Sequence, residues 1–151
     1  MLYSTKGEVP EEEYLIPLGK ANIMREGKDV TIISYSLTAL KALKAAEMLE
    51  SDGIDAEVLD LRTLSHLDKD AIIASAKKTG KVLIAHEGIQ KFGVGAEVAS
   101  VIGDSDAFFY LDRPVRRFGG DDMPIPYAPQ LEAQVVPQSD TICAKVKELL
   151  E

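Results

Sequence analysis

The chain has 151 residues, 46% of them hydrophobic, and its 17 basic and 25 acidic side chains give a net charge of −8. This length predicts one domain with an ordinary hydrophobic core. One cysteine and two histidines exclude a disulfide framework and a zinc cage of cysteines and histidines, and the acidic balance argues against nucleic-acid binding. No apolar run approaches the roughly 20 residues that cross a bilayer, and the N-terminus lacks a signal-peptide pattern. We therefore expect an intracellular protein without a membrane partner.

Residues 1–19 are polar and predict an arm or linker ahead of a domain formed by residues 20–151. Pro10 and Pro17 disfavour a regular helix or a central strand in this segment. An acidic cluster follows the start of the arm and consists of Glu8, Glu11, Glu12 and Glu13. The arm is expected either to lie on a surface or to remain a solvated tail.

From residue 20 onward, apolar runs alternate with amphipathic stretches. The apolar runs predict five strands, which are Ala21–Arg25, Val30–Tyr35, Ala56–Leu61, Lys81–His86 and Ala107–Leu111. The amphipathic stretches predict three helices, from an N-cap at Ser36 to about Ser51, from Asp68 to Gly80, and from Gly93 through Ile102. The link after the first strand is too short for a crossover, so that strand is predicted to be antiparallel. This pattern predicts a three-layer α/β/α fold with a mostly parallel five-stranded sheet.

Residues 113–137 interrupt the alternation of strands and helices. They contain five of the seven prolines and the pair Gly119-Gly120, so we predict an ordered excursion over the surface. A closing helix is predicted to follow, with Ser139 and Asp140 as its cap.

Polar residues follow the carboxyl ends of the predicted parallel strands, where open α/β sheets bind ligands. They are Tyr35-Ser36, Arg62-Thr63, His86-Glu87 and Asp112-Arg113. A general acid–base site uses such groups, but helix capping, ion pairing and contact with another domain explain them more simply. His86 and Glu87 are adjacent, so they point to opposite faces unless Glu87 already lies in the loop.

Gly93-Val94-Gly95 is similar to a phosphate cradle, in which glycines at a helix start expose backbone N–H groups. A dinucleotide fingerprint would follow its strand directly and would have a third glycine where this chain has Val98. Glu97 also adds negative charge beside the supposed anion site. We therefore expect the two glycines to permit close packing, and we predict no catalytic, cofactor-binding or metal-binding residue.

Six segments of the chain occur in a specific order and spacing. They are EEEYLIPLGKA, REGKDVTIISYS, GIDAEVLDLRTL, HEGIQKFGVGAEVAS, RRFGGDDMPIPYAP and a closing LE…VP before the last helix. Together they resemble the transketolase C-terminal-like domain of the beta subunit of thiamine-diphosphate-dependent 2-oxo acid dehydrogenases, such as those acting on pyruvate or branched-chain 2-oxo acids. The resemblance runs from about Val9 to the end. His66 is a departure, because the family usually has proline there.

The resemblance implies that thiamine diphosphate and Mg²⁺ are held by a preceding domain and by a separate alpha subunit, so this chain is expected to bind neither alone. It also implies assembly with the alpha subunit and a second beta subunit in an α2β2 tetramer. The basic subunit-binding domain of the dihydrolipoyl acyltransferase is a further implied partner, which acidic residues would attract. The acidic candidates are Asp104, Asp106, Asp112, Glu148 and Glu151. The candidates for an interface at the strand edge are Ser36, Arg62, His86, Glu87, Gly93 and Gly95.

The function implied is that of an assembly domain in an enzyme that decarboxylates a 2-oxo acid and transfers the acyl group to lipoyl-lysine. The resemblance places it in the cytoplasm, or in the mitochondrial matrix of a eukaryote, and suggests an excised or half-length product that is inactive alone. Two alternatives are the C-terminal domain of a transketolase or deoxyxylulose-phosphate synthase, and a stand-alone flavodoxin-like small-molecule binder. A closed cavity around Ser36, Arg62, His86 and Gly93 favours the binder, whereas a flat apolar edge favours assembly.

Overall fold

The computed structural model describes residues 5–8 and 10–151, so residues 1–4 and 9 of the predicted arm lie outside the described residues. One sheet is formed by five strands, β1 (Asn22–Arg25), β2 (Val30–Ser34), β3 (Ala56–Asp60), β4 (Val82–Ile89) and β5 (Arg116–Gly120). Their order is β1-β3-β2-β4-β5, and every neighbouring pair is parallel except β1 with β3. The predicted fold class, mostly parallel with an antiparallel first strand, is confirmed.

Helices cover both faces of this sheet. They are α1 (Ser36–Glu50), α2 (Lys69–Thr79), α3 (Val94–Gly103), α4 (Pro129–Val135) and α5 (Ser139–Leu150). Alanines of α1 and apolar residues of α5 bury one face around Ile32 and Val58. The other face is buried by α2 and α3 around Ile33 and Leu59. Within the described residues, no helix has the length and apolar character needed to span a membrane.

The fifth strand differs from the prediction. The predicted strand Ala107–Leu111 lies largely within a 3₁₀ helix, Asp106–Tyr110, whose start is capped by the Ser105 side chain. The chain then passes the amino edge of the sheet, where the Asp112 N–H donates to the Gly80 carbonyl oxygen (2.8 Å). The real β5 lies inside the segment predicted as an ordered excursion over the surface, which also contains α4. Asp112-Arg113 therefore lies at the opposite edge from the other predicted strand-end residues.

The first strand is antiparallel, as predicted, but its partner is β3 rather than β2. Asn22 is paired with Asp60 and Ile23 with Leu59. The link from β1 to β2 crosses the beginning of β3, since the Asp29 N–H donates to the Asp55 carbonyl oxygen (3.0 Å). Close packing at this crossing puts β1 on the outer side of β3.

The cap predicted for α1 is wrong. Ser36 lies in the first turn with a φ of +56°, and Tyr35 occupies the N-cap position without a side-chain hydrogen bond. The limits of α2 are confirmed: the Asp68 carboxylate accepts the Ala71 N–H (3.2 Å), and Gly80 ends the helix with a φ of +65°. The Asp68 carboxylate, directly before the first helical residue, satisfies a helix donor, whereas the Ser36 hydroxyl lies inside the first turn of α1 and caps none.

The cap predicted for the closing helix is also displaced. Gln138 holds the N-cap position of α5, and its N–H donates to Thr141 Oγ1 (2.9 Å). Ser139 and Asp140 are the first two residues of the helix. The predicted start is therefore one or two residues too late.

At position 27, where the β1–β2 link crosses β3, there is no room for a side chain, so only glycine fits. A Cβ atom at Gly27 would lie 2.2 Å from the Glu57 nitrogen and 2.3 Å from the Ala56 carbonyl carbon, both backbone atoms. We expect Gly27→Ala to lower the free energy of unfolding by about 2–4 kcal/mol, because the backbone of β3 has to shift. Urea denaturation measures this loss.

Gly103→Ala is the matched control, because a Cβ atom there meets nothing within 4 Å at the end of α3. It should leave stability unchanged or raise it by up to about 1 kcal/mol. Equal stability of the Gly27→Ala protein and the unsubstituted protein would contradict the crowding argument.

Candidate functional site at the carboxyl edge of the sheet

The carboxyl edge of the sheet is where this fold class binds ligands. The structure places six predicted interface residues at or near this edge, Ser36, Arg62, His86, Glu87, Gly93 and Gly95. They do not form one cluster. Of these six, only His86, Gly93 and Gly95 are in mutual contact. Ser36 and Arg62 are exposed and follow different strands, β2 and β3.

The His86 side chain is 1% exposed and lies beneath the first turn of α3. Its Nε2 accepts the Gly95 N–H (3.2 Å). A Cβ atom at Gly95 would lie 2.7 Å from that Nε2, and one at Gly93 would lie 2.8 Å from His86 Cε1. The prediction that these glycines permit close packing is confirmed. The imidazole therefore fills the space between the end of β4 and the first turn of α3.

The His86 ring is held as a neutral tautomer. Because Nε2 accepts a hydrogen bond, the proton belongs on Nδ1, which is buried without a well-formed hydrogen bond to the described residues. The ring stacks on Tyr35, with centroids 6.1 Å apart. Burial lowers the pKa of His86 below its ordinary value, while the Gly88 backbone opposes this shift and Arg117 adds to it. The imidazole is therefore uncharged near neutral pH.

Glu87 does not form an acid–base pair with His86. It lies inside β4, which continues to Ile89, so the two side chains point to opposite faces. Burial, and then Glu87, raise the pKa of the Tyr35 hydroxyl. Burial lowers the pKa of Lys41, and Glu87 opposes that shift. Since the Lys41 Nζ donates to the Pro137 carbonyl oxygen (3.0 Å), this charged group connects α1 to the start of α5.

A diphosphate does not fit the first turn of α3. The Gly95 N–H is already donated to His86, and Glu97 places negative charge in the same turn. Within the described residues, no group of three or more histidine, cysteine, aspartate or glutamate side chains is arranged to hold a metal ion. The arrangement suits packing of protein against protein rather than binding of a charged cofactor.

Large apolar side chains are exposed along the same edge. This carboxyl-edge surface consists of Leu18, Leu64, Ile89, Phe92, Met123, Ile125, Tyr127 and Leu131. Phe92 and Tyr127 expose essentially their whole side chains. Phe92 also has a φ of +55°, a costly conformation for a bulky residue, and the Lys91–Asp122 ion pair (2.6 Å) joins its loop to the segment after β5. Exposed apolar surface of this kind is typical of a partner contact.

The five acidic docking candidates do not form one patch. Asp104, Asp106 and Asp112 lie near the 3₁₀ helix, whereas Glu148 and Glu151 lie at the end of α5 on the other face. Three of them already have cationic neighbours, since Asp106 pairs with Lys77 (2.6 Å), Asp112 with Lys81 (3.1 Å) and Glu148 with Lys145 (2.7 Å). Their charge is therefore partly neutralised.

An aromatic surface that the sequence did not predict lies between the first three of these acids. Phe108, Phe109 and Tyr110 are exposed on the 3₁₀ helix, although their segment was predicted as a core strand. Ser105 ahead of Asp106 was a usable sign of a helix start, because serine followed by an acidic residue is typical of an N-terminal turn.

The buried neutral His86 predicts a pH dependence of stability. In the unfolded chain its pKa should return to about 6.5, whereas the folded value is lower. The unfolded state then binds more protons than the folded state. The free energy of unfolding is therefore at its full value above the unfolded-state pKa of about 6.5, and it decreases as the pH is lowered toward the folded-state pKa. His86→Gln should flatten this decline in urea denaturation between pH 7.5 and 5.5.

His66→Gln is the control, because His66 lies in an exposed loop beside Ser65. It should keep the slope of the unsubstituted protein. A slope that persists unchanged in His86→Gln would contradict the assignment of a buried neutral imidazole.

Three comparisons with known proteins agree with this geometry. Residues 19–142 match the family model of the transketolase C-terminal domain. The chain is 48% identical over 147 residues to 2-oxoisovalerate dehydrogenase subunit beta of Bacillus subtilis (strain 168), covering 97% of this chain and 45% of that protein. It is 47% identical over 146 residues to the mitochondrial pyruvate dehydrogenase E1 component subunit beta of Pisum sativum, covering 96% and 40%.

The chain thus spans less than half the length of these curated relatives. Among solved structures, a split gene transketolase described as an inactive beta4 tetramer is similar, with a TM-score of 0.82 and 32% identity. That match covers 95% of this chain and 46% of the other. Because the family model covers most of the residues and the fold agrees, the chain belongs to the transketolase C-terminal domain family.

Proposed function

We propose that this domain is a non-catalytic assembly domain of the beta subunit of a 2-oxo acid dehydrogenase. The observation that carries the proposal is the carboxyl edge, where a buried His86 is packed against the α3 turn and large apolar side chains are exposed nearby. The sequence similarity to beta subunits supports the enzyme class. In the complete enzyme, thiamine diphosphate and Mg²⁺ serve decarboxylation of the 2-oxo acid, and the acyl group passes to lipoyl-lysine. This domain supplies contacts rather than reacting groups.

The carboxyl-edge surface is proposed to contact the alpha subunit and a second beta subunit in an α2β2 assembly. Phe92 and Tyr127 are its anchors, because large exposed aromatic side chains contribute most when an interface desolvates them. Ser36, Arg62 and Glu87 provide polar groups along the edge. Buried beneath the surface, His86 and the two glycines act by holding the α3 turn in place.

The 3₁₀ helix is proposed to receive the basic subunit-binding domain of the dihydrolipoyl acyltransferase. Its exposed aromatic side chains are accompanied by Asp104, Asp106 and Asp112. An apolar centre with an acidic rim suits a partner that carries lysine and arginine. Glu148 and Glu151 lie on the other face of the sheet, so they are too far around the domain to belong to this docking surface.

Two alternative functions have less support. The split gene transketolase at 32% identity favours a transketolase or deoxyxylulose-phosphate synthase domain, but the beta subunits match at 48% and 47%. A flavodoxin-like binder needs an accessible site around His86, and His86 is 1% exposed. The proposed location is the cytoplasm, or the mitochondrial matrix if the source is eukaryotic.

Binding to the alpha subunit of a 2-oxoisovalerate dehydrogenase tests the proposal by calorimetry. Phe92→Ala with Tyr127→Ala should weaken this binding about tenfold or more, because both anchors are lost. Phe109→Ala is the matched control, since it removes an exposed aromatic side chain from the opposite part of the domain, and it should leave this affinity unchanged.

Measurements of turnover and cofactor binding on the same preparation can contradict the proposed function. The unsubstituted chain alone should show no turnover of pyruvate or branched-chain 2-oxo acids, and no heat with thiamine diphosphate and Mg²⁺. Turnover, cofactor binding, or alpha-subunit binding that ignores both anchor substitutions would overturn the proposed function.

A further inference from the structure

The last strand of the sheet has an open side. β5 pairs with β4, and no other strand lies beside it in the described part of the chain. A groove of about 410 Å³ runs along this strand and is lined by Arg116, Arg117, Phe118, Lys145, Glu148 and Leu149 among others. An open strand edge can accept an additional strand through its free backbone donors and acceptors.

This β5 groove is cationic in an acidic protein. Arg116 and Arg117 have no carboxylate partner within salt-bridge distance in the described residues. Arg116 is paired with Leu83 and Arg117 with Ile84, which belong to the cores on opposite faces of the sheet. Each face of the strand edge therefore presents one guanidinium group. Glu148 adds little opposing charge, because it is bound to Lys145.

The arm provides a segment with complementary properties. Glu11, Glu12 and Glu13 are exposed and precede the exposed apolar residues Tyr14, Leu15 and Ile16. Residues 11–16 make no hydrogen bond or ion pair with other described residues and form no strand or helix. Pro10 and Pro17 bound the segment, so it has six residues, enough to pair with the five of β5. Tyr, Leu and Ile also favour a pleated conformation on a half-buried surface.

We propose that residues 11–16 of a second copy of this chain add as a strand to the open edge of β5. Successive residues of a strand point to opposite faces, so three consecutive glutamates supply a carboxylate to Arg116 on one face and to Arg117 on the other. The apolar residues that follow then cover the groove floor at Phe118 and Leu149. Two copies can exchange arms reciprocally and form a closed dimer.

The arm of the same copy does not reach this position. Gly19 is fixed near the end of β3, because its N–H donates to Thr63 Oγ1 (3.1 Å). β5 lies three strand spacings from β3, which is about 14 Å. The three residues from Ile16 to Gly19 span at most about 11 Å. Direct pairing of two β5 edges is disfavoured as well, since it would bring arginine pairs face to face.

Reversing the charges of the arm and of the groove by substitution tests the proposal, with self-association of the 151-residue chain measured by sedimentation equilibrium. One variant carries Glu11→Lys, Glu12→Lys and Glu13→Lys, and the other carries Arg116→Glu and Arg117→Glu. Each variant alone should self-associate about tenfold or more weakly than the unsubstituted chain, because like charges then meet. An equal mixture should recover the affinity, since each arm then meets a groove of opposite charge.

Lys44→Glu with Lys69→Glu is the control for net charge, because both lysines are exposed and lie away from the groove. It should keep the affinity of the unsubstituted chain. A monomeric unsubstituted chain, a dimer that is insensitive to both reversals, or an equal mixture that stays as weak as its components would overturn the proposal. The substituted residues lie outside the carboxyl-edge surface, so self-association through that surface would be insensitive to both charge reversals, which separates it from exchange of the arms.

Discussion

The packing of the His86 imidazole against the first turn of α3 is the constraint on which the carboxyl edge depends. The ring approaches so closely that only hydrogen fits on the Cα atoms of Gly93 and Gly95. It also accepts a backbone N–H that would otherwise be free at the helix start. The ring is buried and neutral, so it fills this part of the edge and contributes no charge that could bind an anion there.

The character of the carboxyl edge follows from this constraint, and two further surfaces lie elsewhere on the domain. With the imidazole buried, the edge presents exposed apolar side chains, of which Phe92 and Tyr127 are the most prominent. A second aromatic surface lies on the 3₁₀ helix, and a cationic groove follows the open side of β5. These three surfaces are distinct in chemistry, so they suit different partners.

Much of the fold was predictable because local patterns and tertiary packing agree. The buried β-branched strands, the antiparallel first strand and the close-packing role of Gly93 and Gly95 were all read correctly. The fifth strand was not, because Ala107–Leu111 has a strand-like composition but a serine cap and a return to Gly80 hold it as a 3₁₀ helix. The real strand, Arg116–Gly120, has an exposed charged beginning and two glycines, and only its contact with β4 defines it. The contact of His86 with α3 was equally invisible, since it joins residues whose distance depends on the whole β4–α3 turn.

A double-mutant cycle between Gly95→Ala and His86→Ala tests the central constraint most directly. Gly95→Ala alone should lower the free energy of unfolding by about 2–3 kcal/mol, because its Cβ atom meets the imidazole. In the His86→Ala background the same change should cost little, giving an interaction energy of about 1–3 kcal/mol. Additive losses, equal within about 0.5 kcal/mol, would show that the imidazole does not set the position of α3.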